Sequence, residues 1–374
     1  MADFSRVLAG PYLAMTLGDL GAEVVKVERP GTGDDTRSWG PPWTDAGVAS
    51  YYVGLNRNKR SVTLDLAVDD DRELAVRLAS RADVMVENFR PGTLARFGLD
   101  YPTVRARNPG LVYVSITAFG SAPNATELAG YDLMVQAMSG LMSITGAPDG
   151  PPYKVGVALI DHIAALQGTV GVLAALRHRD ATGLGQHVEV SLMGAALAGL
   201  LNQASGYLAT GDEPPRLGNR HPSIAPYQTF EAEDGWFVVA CGNDGQFRKL
   251  AEACGRPDLP TDERFATNTD RVANVDALDE ILSAAFRTQP VDQWVEVLTE
   301  VGVPAGPINT LGGAFDLAER LGLDPVVETP TSGGTERSVA SPIRLSETPV
   351  SVRRPAPGLG QHDSEIRAWL EELS

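Results

Sequence analysis

Cysteine is nearly missing from this chain: its 374 residues include two, Cys241 and Cys254, with no CxxC spacing and no histidine at metal-ligand spacing. Neither a zinc site nor a disulfide framework is supported, and a reduced, cytoplasmic protein is expected. Positive charge is also scarce, with 31 Lys plus Arg against 48 Asp plus Glu and a net charge of −17. Such a balance repels phosphate backbones and anionic lipid, so neither nucleic acid nor membrane is an expected partner. The start MADFSRVLAG lacks a basic stretch followed by an apolar run, which sets aside a secretory signal. One charge-free stretch, residues 190–211, is interrupted by Asn202, Gln203, Ser205 and Tyr207, and its apolar part falls short of the ~20 residues of a spanning helix. A buried core helix is expected there.

Several common chemical signatures are missing too. No GxGxxG follows an early strand, and GxxxxGK[ST], HExxH and GxSxG do not occur, which leaves the usual dinucleotide, P-loop, zincin and hydrolase mechanisms without support. The glycine-rich stretches PGTGDD (30–35) and TGLGQH (182–187) read as turns.

What the chain does contain is alternation. AEVVKVE (22–28), SVTLDL (61–66), DVMVEN (83–88) and LVYVSIT (111–117) have the β-branched runs of strands, and residues 69–82 and 91–108 read as helices between them. Strands separated by helices imply a mostly parallel, doubly wound α/β sheet with right-handed crossovers, Rossmann-like in class. Residues 155–176 and 190–210 are rich in Ala, Leu and Val and suggest helices buried on most faces. Past a Pro- and Gly-punctuated connection at 211–221, YQTFEAEDGWFVVACG reads as a hairpin around an Asp-Gly turn, followed by charged helical segments at 244–254 and 270–300. The expected division is a large α/β domain over 1–210 and 313–374, a linker at 211–221, and a smaller α+β domain over 222–312. In the tail, a strand and a proline-rich crossing lead to an amphipathic helix expected to return to the large domain.

Asp161 is the most informative position, a carboxylate among apolar neighbours in GVALIDHIAALQG. An ionised carboxylate is expensive to bury without partners. It is read either as the N-cap of the helix that follows or as a nucleophile at that helix's mouth, held ionised by backbone N–H groups and the dipole. Asp132 opens another apolar helical run and reads first as an N-cap. Arg29, Arg90 and Arg96 follow strand ends, where guanidinium groups in an acidic protein suit an anionic ligand. His162 is read as a packing residue, and His221, in GNRHPSIAP, as a turn residue near the small domain's entrance.

Together, SRVLAGPYLAMTLGDLGAEVVKVERPGTGD, YYVGLNRNKRSVTLDL, VMVENFRPGTLARFGLDY, AGYDLMVQAMSGLMSITG, KVGVALIDHIAALQGTVGVLAAL, GVPAGPIN and PAPGLGQH resemble, in order and over nearly the whole chain, the class III (formyl-CoA transferase-like) coenzyme A transferases. The resemblance implies that Asp161, ending the G-x-A-x-x-D segment, carries first the acyl group and then CoA, with Asp132 an acidic neighbour. It implies that Arg29 and Arg96 meet the nucleotide end of CoA, that Asn88, Phe89 and Arg90 line its loop, and that Leu8 and Ala9 touch it. CoA and acyl-CoA enter as substrates, with no tightly bound cofactor, alongside a small carboxylic acid, and succinyl-CoA is a candidate donor. An interlocked homodimer is implied as well.

Three departures refine this. The family has a full strand ahead of the SRVLAGP loop, whereas this chain starts at MADFSRV, so either one sheet strand is short or the start codon is misassigned. The glycine-rich lid of formyl-CoA transferases is replaced by NRHPSIAPYQTF, which argues for acids larger than formate and oxalate. Tyr131 stands where the superfamily's racemases have histidine, and a phenol is a poor base near neutrality. A 2-methylacyl-CoA racemase and an inactive CoA-binding protein are the alternatives.

Overall fold

The computed structural model describes residues 1–45, 47–126, 128, 130–331 and 333–372. It divides into two compact units, one of residues 1–141, 154–212 and 323–374, the other of residues 142–153 and 213–322. In the first unit, β1 (Ala2–Asp3), β2 (Val24–Glu28), β3 (Lys59–Thr63), β4 (Val84–Glu87), β5 (Val112–Thr117) and β6 (His187–Ser191) form a parallel sheet in the order β3-β2-β1-β4-β5-β6. This is the order of a doubly wound sheet, whose crevice opens where the order reverses, between β1 and β4. The central strand β1 is only two residues long, yet it pairs with both neighbours.

Helices cover both faces. One apolar core gathers Leu74, Leu78 and Ala79 of α3 (Asp69–Arg81) with Ile366 and Leu370 of the terminal helix Asp363–Glu371, so the tail does return to the sheet. The other gathers Leu13 and Leu17 of α1 (Ala9–Asp19), Val135 of the helix Asp132–Met138, and Ala164 and Val172 of the long helix Leu159–Thr182. The second unit is smaller: strands Tyr227–Glu231, Trp236–Ala240 and Ala305–Pro307 form an antiparallel sheet backed by helices that bury Phe247, Leu282, Phe286 and Trp294.

Several expectations need correction. The segment 91–108 is not one helix; left-handed Gly98 (φ 68°) ends a 3-10 turn at Leu94–Phe97 before Tyr101–Arg107 begins. Residues 190–211 form no buried core helix. They end β6 and continue as Leu192–Gly199 and Leu201–Thr210, broken at Leu201 (φ 46°), and the second of these helices buries no residue. Helix Leu159–Thr182 is buried along one stripe only, leaving Leu166, Val170 and Leu173 exposed. The small unit also extends beyond 222–312. Arg216 donates to the carbonyls of Ser143 (3.2 Å), Ala147 (3.3 Å) and Gly150 (2.9 Å), drawing 142–153 onto 213–218.

Beneath the carboxyl edge of β1 to β3 lies a buried ionic network. The Lys59 Nζ donates to Asp3 (2.9 Å), Asn56 (2.9 Å) and the Pro11 carbonyl (2.9 Å), while Lys26 pairs with Asp34 at 2.8 Å and donates to the Ser5 carbonyl at 3.0 Å. Arg37 clamps Glu28 through Nε (2.8 Å) and Nη2 (2.7 Å). Burial is the largest influence on Lys59 and, with the adjacent Lys26 ammonium, brings it down to about 8 despite Asp3. Removing one member of a buried pair leaves the other charge desolvated and uncompensated. Lys59→Met is therefore expected to destabilise the protein by about 3–5 kcal/mol in urea unfolding, whereas a loss below about 1 kcal/mol would show the network to be dispensable.

Candidate active site

The loops that leave the carboxyl ends of β1, β2, β4 and β5 enclose three cavities, all within the first unit. The first, about 280 Å³, lies among Phe4, Arg6, Arg29, Gly33, Phe89 and Phe97. A second, about 230 Å³, shares Arg6 and Phe89 with it and continues past Leu8, Ala9, Asn88 and Arg90 to Tyr131 and Asp161. The third, about 590 Å³, shares Val7, Leu8, Tyr131 and Asp161 with the second and adds Trp39, Tyr51, Asp132 and Lys154. Asp161 thus stands where the second and third cavities meet.

Local chemistry fixes these loops. Asn88 locks the first loop from both sides, accepting from the Arg6 amide (2.8 Å) and donating to the Arg6 carbonyl (2.7 Å). Val7 is held at φ 69°, a conformation costly for a β-branched residue. Its amide donates to Asp34 at 3.3 Å, and Asp34 also accepts from Thr36 and pairs with Lys26. Gly33 (φ 66°) has no room for a side chain, since a Cβ would lie 2.8 Å from Glu28 and from the Arg37 side chain. The stretch PGTGDD, read as a turn, contributes Gly33 and Asp34 to the wall of the first cavity, a placement that composition did not signal.

The two aspartates have different tasks. Helix Leu159–Thr182 begins at Leu159 with no side-chain cap from Ala158, so Asp161 is not its N-cap. Asp132 serves that helix from outside: its Oδ1 accepts the amides of Ile160 (2.7 Å) and Asp161 (3.1 Å). Its Oδ2 accepts from Gln136, whose Oε1 accepts the Val155 amide at 2.9 Å. Helix amides were expected to hold Asp161 ionised, but Asp132 takes the Ile160 and Asp161 amides. The Asp161 carboxylate has no hydrogen-bond partner among the described residues, and burial first, then the Asp132 charge, pushes it up to about 7. Tyr51, on the same cavity, is pushed up to about 12 by burial and then by Asp161.

Leu8, Ala9, Asn88, Phe89, Arg90 and Asp161 line the second cavity together, and Arg29 lines the first. Arg96 is exposed, with its guanidinium 5.4 Å over the ring of Phe97, which lines the first cavity. His162 packs edge-on against Tyr12 at 4.7 Å, and His221 accepts the Ser223 amide in a turn. Lys154 and Gln136 were not singled out by the sequence, although each is a polar residue within an apolar, motif-bearing segment.

Comparison with known proteins gives a consistent result. The family model described as CoA-transferase family III matches residues 1–363. The chain is 42% identical to the succinate–glutarate CoA-transferase of Agrobacterium fabrum, over 99% of this chain and 94% of that one. It is 40% identical to the acetyl-CoA:oxalate CoA-transferase of Acetobacter aceti (98% and 93% covered). A crystal structure of a CAIB/BAIF family protein from Brucella suis superposes with a TM-score of 0.88 at 45% identity, covering 99% of this chain and 97% of that one.

The raised Asp161 has a thermodynamic consequence. An aspartate titrates near 4 in an unfolded chain, so between about pH 4 and 7 the folded state binds more protons than the unfolded one. Stability conferred by the protonated form is lost as pH rises through that window. Asp161→Asn should consequently raise Tm at pH ~8 and give no such gain near pH 4; thermal unfolding at both values checks this, and an equal shift at both would contradict it.

Proposed function

Because the chain belongs to CoA-transferase family III, we propose that it moves CoA from an acyl-CoA donor to a carboxylic acid through covalent intermediates on Asp161. Relatives carry names of succinate–glutarate, acetyl-CoA:oxalate and succinyl-CoA:mesaconate CoA-transferases, and succinyl-CoA is the first donor to test. The observation that carries the mechanism is the Asp161 carboxylate without a hydrogen bond, at the junction of two cavities. A partly desolvated carboxylate is a stronger nucleophile than a fully hydrated one, and the Asp132-capped helix end fixes its position.

In this reading the first two cavities receive CoA. Arg29, Arg6 and Arg90 meet its phosphates, Phe89 and Phe97 its base, and the pantetheine arm runs past Leu8 and Ala9 toward Asp161. An Asp161 oxygen attacks the thioester carbonyl, the C–S bond breaks, and CoA thiolate leaves an aspartyl anhydride. The thiolate then attacks the aspartyl carbonyl, releasing the donor acid and leaving an aspartyl-CoA thioester. The acceptor carboxylate enters by the same two steps reversed, so the thioester's free energy is kept without ATP.

The expectation against oxalate rested on the missing glycine-rich lid. A relative named for oxalate at 40% identity makes that argument indecisive, and oxalate belongs in the acceptor panel. A homodimer is part of the proposal: Leu133, Met134 and Met138, Leu166, Val170 and Leu173, and Leu197, Leu201 and Leu208 are exposed apolar residues on helices of the first unit, a surface suited to a second copy. Two free thiols, Cys241 and Cys254, fit a cytoplasmic location.

Asp161→Ala should abolish transfer while the variant still folds and binds acyl-CoA. Wild type incubated with succinyl-CoA and quenched with hydroxylamine should carry a hydroxamate at Asp161; transfer surviving in the variant would refute the mechanism. Since attack needs the ionised carboxylate, kcat/KM should rise with pH up to about 7 and then level. Rapid deuterium incorporation at the α-carbon of a 2-methylacyl-CoA, with no transfer, would instead indicate the racemase. Arg29→Ala should raise KM for acyl-CoA roughly ten- to hundredfold with kcat little changed, as expected for a lost charge-assisted phosphate contact; a loss confined to kcat would mean the nucleotide lies elsewhere.

A further inference from the structure

Lysine occurs only four times in the chain, at 26, 59, 154 and 249. Lys26 and Lys59 are buried and paired with Asp34 and Asp3. Lys249 belongs to the small unit. Lys154 is different: it lines the 590 Å³ cavity together with Asp161, and no carboxylate pairs with it among the described residues, its ammonium donating only to the neighbouring Val155 carbonyl at 3.1 Å. Among the described residues lining that cavity, Lys154 is the cation and Asp132 and Asp161 are the anions.

This lysine is also tied to the nucleophile. Gln136 is fully buried, accepts the Val155 amide at 2.9 Å and donates to the Val157 carbonyl at 3.3 Å. The same amide group donates to Asp132, which holds the Ile160 and Asp161 amides. Residues 154 and 161 thus stand on one hydrogen-bonded frame, at opposite ends of an eight-residue strip that walls the cavity. An exposed ammonium lining a cavity that also holds two carboxylates, in a protein of net charge −17, is suited to an anion that enters the cavity with the acyl group.

We propose that Lys154 receives the distal carboxylate of a dicarboxylic acyl group whose other carboxyl reacts at Asp161, making this a dicarboxylate-selective site. The assignment rests on the CoA-transfer reading above. The CoA phosphates are a less suitable partner, because Arg6, Arg29 and Arg90 line the two other cavities. A monocarboxylic acid of equal length would leave the ammonium unanswered and gain nothing from it.

The test compares wild type, Lys154→Met and Lys154→Arg, with one donor held fixed and succinate, glutarate, butyrate and valerate as acceptors. In a ping-pong exchange, kcat/KM for the acceptor reports the second half-reaction alone. Wild type should prefer the dicarboxylates, and Lys154→Met should lower the dicarboxylate-to-monocarboxylate ratio of kcat/KM roughly tenfold or more, the size expected for a charge-assisted contact. Lys154→Arg should keep most of that ratio. An unchanged ratio in Lys154→Met, whether all acceptors fall together or none does, overturns the assignment, as does a rise in KM confined to acyl-CoA. A wild type that serves only monocarboxylates defeats this inference while leaving CoA transfer standing; a wild type that transfers to no acid, oxalate included, defeats the function itself.

Discussion

Asp132 accepting the first amides of a helix that begins 27 residues later in the chain is the contact on which the site depends. Ordinarily a helix is capped by the residue just before it, and the cap is worth about 1 kcal/mol. Here the cap is supplied from another helix, so it fixes two elements relative to each other as well as closing one of them. It also means that the Ile160 and Asp161 amides are already engaged and do not solvate the neighbouring carboxylate. Two negative groups then lie close together in a partly desolvated place. Burial first, and then the Asp132 charge, raises the Asp161 carboxyl to about 7, with no hydrogen bond among the described residues to offset them. On the proposed mechanism, the reactivity of Asp161 arises from the unequal hydrogen bonding of two like residues.

A second frame holds the wall opposite. Asp3, Glu28 and Asp34 face Lys26, Arg37 and Lys59, three charges of each sign. Burying so many ions is a poor way to gain stability, because desolvation roughly cancels attraction. What it does give is direction: every member has a fixed partner, and the loops that follow β1 and β2 leave the sheet with little freedom. That rigidity is what sustains the left-handed Val7 between the second and third cavities. A purely apolar packing beneath these loops would tolerate sliding, and a loop that slides cannot keep Val7 in a strained conformation.

Legibility in the sequence followed range. The strands at 24–28, 84–87 and 112–117 were visible because β-branched runs are local, and Asp161 was visible because a lone carboxylate in an apolar helix is a local contradiction. Its surroundings were not. That Asp132 would cap a distant helix, that Gln136 would bridge 132 to 155, and that PGTGDD would contribute to a cavity wall all depend on which segments meet after folding. The split at Gly98 hid behind the helix-favouring Leu94, Ala95 and Arg96 before it and the proline-started helix Tyr101–Arg107 after it. Residues 142–153 joined the small unit through the reach of Arg216, which no periodicity announces. The arginines were ranked alike by their place after strands, and only folding separated Arg29, on a cavity, from Arg96, laid over Phe97.

The error over helix Leu159–Thr182 has a different origin. Its composition is apolar all round, which suggested burial on most faces, whereas its own chain buries one stripe. An apolar face that a chain keeps without using is expensive in water, at roughly 25 cal/mol for each Å² left exposed. Covering it by a second copy resolves that cost, and on the proposed mechanism it also resolves another. An aspartyl anhydride must be shielded from water until thiolate or acid attacks, yet the cavity beside Asp161 is bordered by exposed Tyr131, Leu133 and Val157. These residues are apolar or aromatic, at the rim, and continuous in sequence with the two segments that carry Asp132 and Asp161. On the proposed mechanism, a cover over Tyr131, Leu133 and Val157 would keep water from Asp161, and in the proposed dimer the exposed face of Leu166, Val170 and Leu173 would find a partner; assembly and covalent chemistry would then place related demands on the sequence.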